Sequence, residues 1–219
     1  MILGIDTSLG TAVAVVEADG MVRSQVESTD PRGHAELIGS LLEQALAEAS
    51  VRPADITHVA AGMGPGPFTG LRVGIAAART FALGRGIPVI PVVSHDAVAL
   101  ELVLHAALTG GFDNAADEAF AVVTDARRRE FAYSVYRGTD DDGLPVRVVE
   151  SALAPRESLD GILAAMGVVR RDADRIPAAM LALAAGRALA AGRVIGPADA
   201  LYLRSPDVTL STGPKRVTA

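Results

Sequence analysis

The stretch "IDTSLGTAVAVVEADG", Ile5–Gly20, is an apolar run that stops at an aspartate, turns on small polar residues and resumes as a second apolar run. Residues 1–5 and 12–16 read as two short strands, and "ADG", 18–20, as the next hairpin turn. Laid over "TDARRREFAYSVYRGT", Thr124–Thr139, the stretch corresponds without a gap. Asp125 then falls on Asp6, and Phe131, Tyr133 and Val135 fall on Ala12, Ala14 and Val16. Identity is low, but the shared layout points to an internal repeat in which each half opens with strand, aspartate, turn and strand.

Working outward, Val22–Ser28 reads as a third strand. From His34 the period becomes helical, with Leu37, Ile38, Leu41, Leu42, Ala45, Leu46 and Ala49 on one face and Glu36, Glu43, Gln44 and Glu48 on the other. A buried strand at 56–62 leads into "GMGPGPFTGLRVG", Gly62–Gly74, and then into a second helix rich in glycine and alanine that runs to about Leu83. "GIPVIPVV" (86–93) reads as a strand, and Ser94 as the N-cap of a helix reaching Leu108. In the second half, 119–143 reads as strand, aspartate-containing turn, strand and hairpin turn, followed by a strand near 146–149, a helix near 156–166 and a stronger one at 177–191. The polar stretch 168–178 has no assignment, and the last several residues read as disordered. The expected fold is α/β and duplicated, with one lobe at 1–108 and a second, degenerate one at 109–219 whose last helix can pack back on the first lobe. By analogy, such an opening hairpin is the phosphate-facing element of the actin, hexokinase and Hsp70 (ASKHA) superfamily.

Composition narrows the function. The 219 residues are half hydrophobic, enough for a proper core, and the net charge is −6. That balance argues against a dedicated nucleic-acid or acidic-membrane surface. There is no cysteine, hence no disulfide, thiolate zinc site or cysteine nucleophile. No apolar run reaches membrane-spanning length and no basic leader precedes "MILGIDTS", so the expectation is a soluble, cytoplasmic protein without a membrane partner.

The glycine-rich stretch fails as a nucleotide loop on specific atoms. A Walker loop needs Lys then Ser or Thr, and Gly70 is followed by Leu71 and Arg72. A dinucleotide fingerprint needs a third glycine where Pro67 or Thr69 stands. The residues Gly64, Pro65, Gly66, Phe68, Thr69 and Gly70 therefore read as a tight strand-to-helix turn. Asp6, Thr7, Ser8, Thr11 and Asp125 form a vestigial nucleotide-facing pair of turns. Asp6 could hold a magnesium-bound water, with the hydroxyls beside it, but Ser8 stands where such phosphotransferases carry glycine, and an Asx turn is an equal reading. His34 lacks a second histidine at i+4, where Ile38 stands, so no metal site is expected. His58, His95 and His105 read as isolated. Ser94, His95 and Asp96 are adjacent and cannot face one another as a triad. Arg127–Arg129 read as a solvated charged turn.

Taken together, "MILGIDTS", "GHAELI", "GMGPGPFTGLRVG", "VTDARRREFAYSVY" and "YLRSPDV" resemble the TsaB (YeaZ) family in order and separation, across nearly the whole chain. The resemblance implies the duplicated actin-like fold and a subunit that is not an enzyme by itself. It would serve threonylcarbamoyl transfer to N6 of the adenosine beside the tRNA anticodon. Its implied partners are a TsaD-like catalytic subunit and a TsaE-like ATPase, with a homodimer when alone and tRNA touched only indirectly. No cofactor of its own is implied, ATP or ADP entering only at the complex interface. The implied partner-binding residues are His34, Leu37, Ile38, Leu41, Leu42, Leu71, Arg72, Ile75 and Arg79. One departure is Pro67, where the family commonly carries serine. The alternative is a small-molecule ATP-dependent phosphotransferase of the same superfamily; a peptidase has neither metal pair nor cysteine to support it.

Overall fold

The computed structural model describes residues 1–30, 33–109 and 118–204. The apolar runs on either side of Asp6 become β1 (Ile2–Asp6) and β2 (Thr11–Val16), buried throughout, which is why neither alternates with polar residues. With β3 (Val22–Ser28), β4 (His58–Gly62) and β5 (Val89–Val92) they form a mixed sheet in the order β3-β2-β1-β4-β5. A second sheet, in the order β8-β7-β6-β9, is built from β6 (Phe120–Asp125), β7 (Glu130–Thr139), β8 (Pro145–Pro155) and β9 (Val169–Asp172).

The two opening hairpins share a register. Asp6 pairs with Ala12 and Asp125 with Phe131; Ile2 pairs with Val16 and Ala121 with Val135. In each sheet a later parallel strand, β4 or β9, then docks on the far side of the opening strand. This is the two-lobe ASKHA-type architecture expected from the repeat. The strand β9 is new: its sequence is charged because it is a short edge, and charge on an edge strand discourages pairing with another chain.

Helices α1 (His34–Ala49) and α2 (Phe68–Arg85) cover one face of the first sheet, burying Leu41, Ala45, Leu71 and Ile75 against Leu3, Ile5, Val13 and Val59. Helix α5 (Ala178–Ala190) lies over its other face, and α3 (Ser94–Leu108) packs against α5 and contacts β6, β7 and β8 of the second sheet. Helix α4 (Arg156–Ala165) backs the second sheet through Leu159 and Leu163. The alanines of α5 let it approach so closely that a Cβ on Gly4 would stand 2.3 Å from the Ala178 carbonyl oxygen. The expected disorder of the final residues falls on 205–219, outside the described residues.

Two glycine substitutions should therefore move stability in opposite directions. Gly4→Ala drives a methyl into the α5 backbone and should cost about 1–3 kcal/mol. Gly84→Ala, on the exposed side of α2 with no neighbour within 4 Å, should stabilise by about 0.5–1 kcal/mol. Urea denaturation of both variants measures the pair.

Candidate functional site

The β1–β2 turn is where chemistry would be sought, and its polar atoms are turned inward. Asp6 is 2% exposed. Its Oδ1 accepts from the Ser8 N–H (2.7 Å) and the Ser8 hydroxyl (2.5 Å), and its Oδ2 accepts from the Ser94 hydroxyl (2.5 Å). Burial pushes the Asp6 carboxyl above its ordinary value, against the pull of the Ser8 and Ser94 hydroxyls. Thr7 donates its hydroxyl to the Gly70 carbonyl (2.6 Å) and accepts from the Gly74 N–H (2.9 Å). Thr11 shares a 2.8 Å hydrogen bond with Nδ1 of His34. The two sequence readings of Asp6, a holder of a magnesium-bound water and an Asx turn, thus meet a carboxylate whose two oxygens already accept from protein groups.

The glycines of Gly62–Gly74 explain the inward turn. A Cβ would stand 1.8 Å from Asp6 Oδ2 at Gly62, 2.6 Å from the Thr7 carbonyl oxygen at Gly70, and 2.2 Å from Thr7 Oγ1 at Gly74. The small-residue face of α2 at Gly70 and Gly74 is consumed by the chain's own first turn. Gly64 has φ 93° and is followed by a cis peptide to Pro65, while Thr69 is exposed at the helix start.

The second turn differs. Asp125 is exposed, its Oδ1 accepting from the Arg127 N–H (2.7 Å) and its Oδ2 paired with Arg156 (2.7 Å). Partial burial opposes its ionisation, but the Arg156 and Arg127 bonds outweigh it and hold the carboxyl below its ordinary value. Between the two turns lies a cavity of about 270 Å³, with Ser8, Gly66 and Phe68 on one wall, Asp125 and Arg127 on the other, and Tyr202 at its side.

Ser94 does not cap α3. Val93 occupies the cap position, and the Ser94 hydroxyl accepts from the Gly64 N–H (3.0 Å) while donating to Asp6. Its two neighbours serve the other sheet. His95 bonds Ser134 through Nδ1 (2.8 Å) and Thr124 through Nε2 (3.0 Å), and burial lowers its pKa to about 3, so the ring is neutral. Asp96 accepts from the Tyr136 hydroxyl (2.7 Å) and from Arg147 Nε (3.1 Å) and Nη2 (2.8 Å). The three adjacent residues thus face three separate sets of partners, as their spacing requires. The sequence marked Ser94 only as a cap and gave Tyr202 no role, since a lone serine or tyrosine carries no period that would point to a distant partner.

Of the nine residues implied as partner contacts, Leu41, Leu71 and Ile75 are core residues, 8%, 0% and 7% exposed, and offer no docking surface. His34 is buried beside Thr11. Leu37, Ile38 and Leu42 are half-buried on α1. Arg72 and Arg79 are exposed on α2, with Arg72 Nε donating to the Tyr202 hydroxyl (3.1 Å) and Arg79 to the Ala198 carbonyl (2.9 Å). Among the described residues no group of three or more His, Asp or Glu is placed to hold a metal ion, and no helix is long and apolar enough to cross a membrane.

A family model described as TsaD, tRNA N6-adenosine threonylcarbamoyltransferase, matches residues 22–152. The chain belongs to this family. Among solved structures, YeaZ from Pseudomonas aeruginosa superposes with a TM-score of 0.70 at 25% identity, over 92% of this chain and 99% of that one. A second P. aeruginosa structure, described as an uncharacterized protein with similarity to peptidase YEAZ, gives 0.71 at 26% identity over 93% and 99%. Within the TsaD family, the chain is of the YeaZ (TsaB) type. An uncharacterized protein of Mycobacterium tuberculosis is 39% identical over 137 residues, 62% of this chain. A tRNA N6-adenosine threonylcarbamoyltransferase of Streptococcus pneumoniae is 40% identical over 107 residues, 42% of this chain and 32% of that protein. The matched region spans 58% of the length of the mycobacterial relative.

The neutral His95 makes a pH prediction. The unfolded chain takes up a proton at this residue near pH 6.5 and the folded one only near 3, so its effect on stability is absent above about pH 6.5 and grows as pH falls. The loss should reach about 1.4 kcal/mol per pH unit for this group. Asp6 contributes a slope of opposite sign above the ordinary carboxylate value, and that slope is common to wild type and a His95→Gln variant. The stability advantage of wild type over His95→Gln should therefore shrink between pH 6.5 and 4. Parallel curves in urea titrations would show that His95 does not titrate in this way.

Proposed function

We propose that the protein is a non-catalytic binding subunit in threonylcarbamoyl transfer to N6 of the adenosine beside the tRNA anticodon. It docks on a TsaD-like catalytic chain, in the same assembly as a TsaE-like ATPase, and pairs with a second copy when alone. It carries no cofactor of its own, and ATP or ADP enters only at the interface with its partners. Contact with tRNA is indirect, in keeping with the net charge of −6. The assembly is cytoplasmic. The observation that carries this reading is the Asp6 carboxylate, with both oxygens engaged by Ser8 and Ser94 where a phosphotransferase of this architecture would need an open acid. The family match and the YeaZ-type fold support the pathway.

Docking rests on the half-buried α1 residues Leu37, Ile38 and Leu42 together with Arg72 and Arg79 of α2, not on the core residues beneath them. Co-purification with the cognate TsaD-like protein, scored with tRNA threonylcarbamoylation, tests the reading. Ile38→Glu and Leu42→Glu should weaken association at least about tenfold with circular dichroism unchanged. Leu71→Glu should instead unfold the chain, because it buries an unpaired charge in the core. Absence of any complex would overturn the proposal. So would ATP turnover by the purified chain alone that is lost in Asp6→Asn, the outcome belonging to the phosphotransferase alternative.

A further inference from the structure

Besides the links from Arg187 at the end of α5 to the Gly143 carbonyl and from Arg193 to Asp140 and Asp142, the two sheets are joined in two physically different ways. On the buried side, α3 binds the first sheet through Ser94 and the second through His95 and Asp96, all three nearly inaccessible to solvent. On the open side, the irregular segment 196–204 follows α5 and passes along β5 and α2. Gly196 lies so close to β5 that a Cβ would stand 2.4 Å from the Pro91 carbonyl oxygen. Ala198 accepts from Arg79 (2.9 Å), and the Leu201 N–H donates to the Met63 carbonyl (2.8 Å). Tyr202 packs against Phe68 with ring centroids 4.8 Å apart and planes tilted by 39°, and the Arg72 guanidinium sits 3.6 Å from the Phe68 centroid. Up to this point every anchor belongs to the first sheet and its helices. Arg204 then crosses to the second sheet, pairing with Glu130 of β7 and donating to the Arg127 carbonyl (3.4 Å).

We propose that residues 196–204 are a latch: they clasp the β6–β7 turn to the start of α2 and hold closed the cavity between the two aspartate turns, with α3 as the hinge. Three features fit this division of labour. The hinge bonds are buried and short, so they persist when the exposed side opens. The latch has no helix or strand of its own, and segments with few buried contacts and exposed hydrogen bonds are the ones that open locally. Its crossing element is one partly exposed ion pair, Arg204–Glu130, which solvent and salt weaken readily. Tyr202 and Arg204 also form part of the cavity lining, so releasing them widens the cavity directly.

The chain has no cysteine, so spin labels can be placed at chosen sites without background. Labels at Ala76→Cys on α2 and Glu157→Cys on α4, both exposed and on opposite sheets, report the separation of the two halves by pulsed electron resonance. The full-length protein should give one narrow distance distribution. Glu130→Gln, which loosens the latch from the second sheet without touching the core, should broaden it toward longer distances. A Tyr202→Ala/Arg204→Ala variant should broaden it further and raise amide exchange at least tenfold in residues 64–69 and 125–130, leaving α3 protected. Should the double variant fail to fold, Glu130→Gln decides alone. An unchanged distribution in Glu130→Gln at 1 M salt would overturn the latch, as would broadening accompanied by loss of protection in α3.

Discussion

A buried carboxylate held by two serine hydroxyls stands where three chain segments meet. Burying an ionisable group is costly unless its lone pairs are filled, and Asp6 fills them with Ser8 from its own turn and Ser94 from α3. Ser94 in turn holds the Gly64 N–H at the head of the glycine-rich turn. The end of β1, the exit from β4 and the start of α3 are therefore fixed by one constellation. Glycine at position 62 is required by it, since any side chain there would enter the carboxylate. The direction of α2 follows, because Thr7 of the same turn grips α2 at Gly70 and Gly74.

From that constellation the second sheet is positioned by succession along α3. Ser94 belongs to the first sheet, and the next residue already belongs to the second. Successive helical residues are displaced by about 100°, so three in a row can reach three partners but cannot converge on one. The arrangement that excludes a catalytic triad is the one that makes this helix start a joint. His95 and Asp96 need polar partners across the interface, and Ser134, Thr124, Tyr136 and Arg147 supply them from β6, β7 and β8. Burying Asp96 without Arg147 would leave an unpaired charge, so this side of the interface admits few alternative packings.

Much of the fold was legible because the repeat is legible. Setting Asp125 on Asp6 reproduces the strand pairing of both hairpins, since side-chain alternation and turn length fix register. The helical stripe of α1 was equally plain. What escaped was non-local. The strand β9 lies in a polar stretch that has no assignment from sequence because an edge strand carries charge, and Ser94 reads as a cap because its partner lies 88 positions away. Leu71 and Ile75 entered as partner contacts through the family resemblance alone, and sequence does not say that the first sheet takes both of them into its core. The glycines of α2 at positions 70 and 74 signalled close approach correctly, but the approaching backbone is the chain's own β1–β2 turn.

The two aspartates show how duplicated geometry acquires different chemistry without changing register. Asp6 and Asp125 occupy equivalent places in equivalent hairpins. Thr7 and Ser8 follow the first, and both are small enough to fold back among the glycines of the neighbouring turn, so that turn is sealed by its own lobe. Arginines follow the second from position 127, in left-handed backbone, too long to fold back and charged enough to stay in water. Asp125 accordingly pairs with Arg156 at the surface, where Asp6 pairs with hydroxyls in the interior. One turn became a structural pin and the other a charged lip of the cavity between them, and the difference was made by the two or three residues after each aspartate.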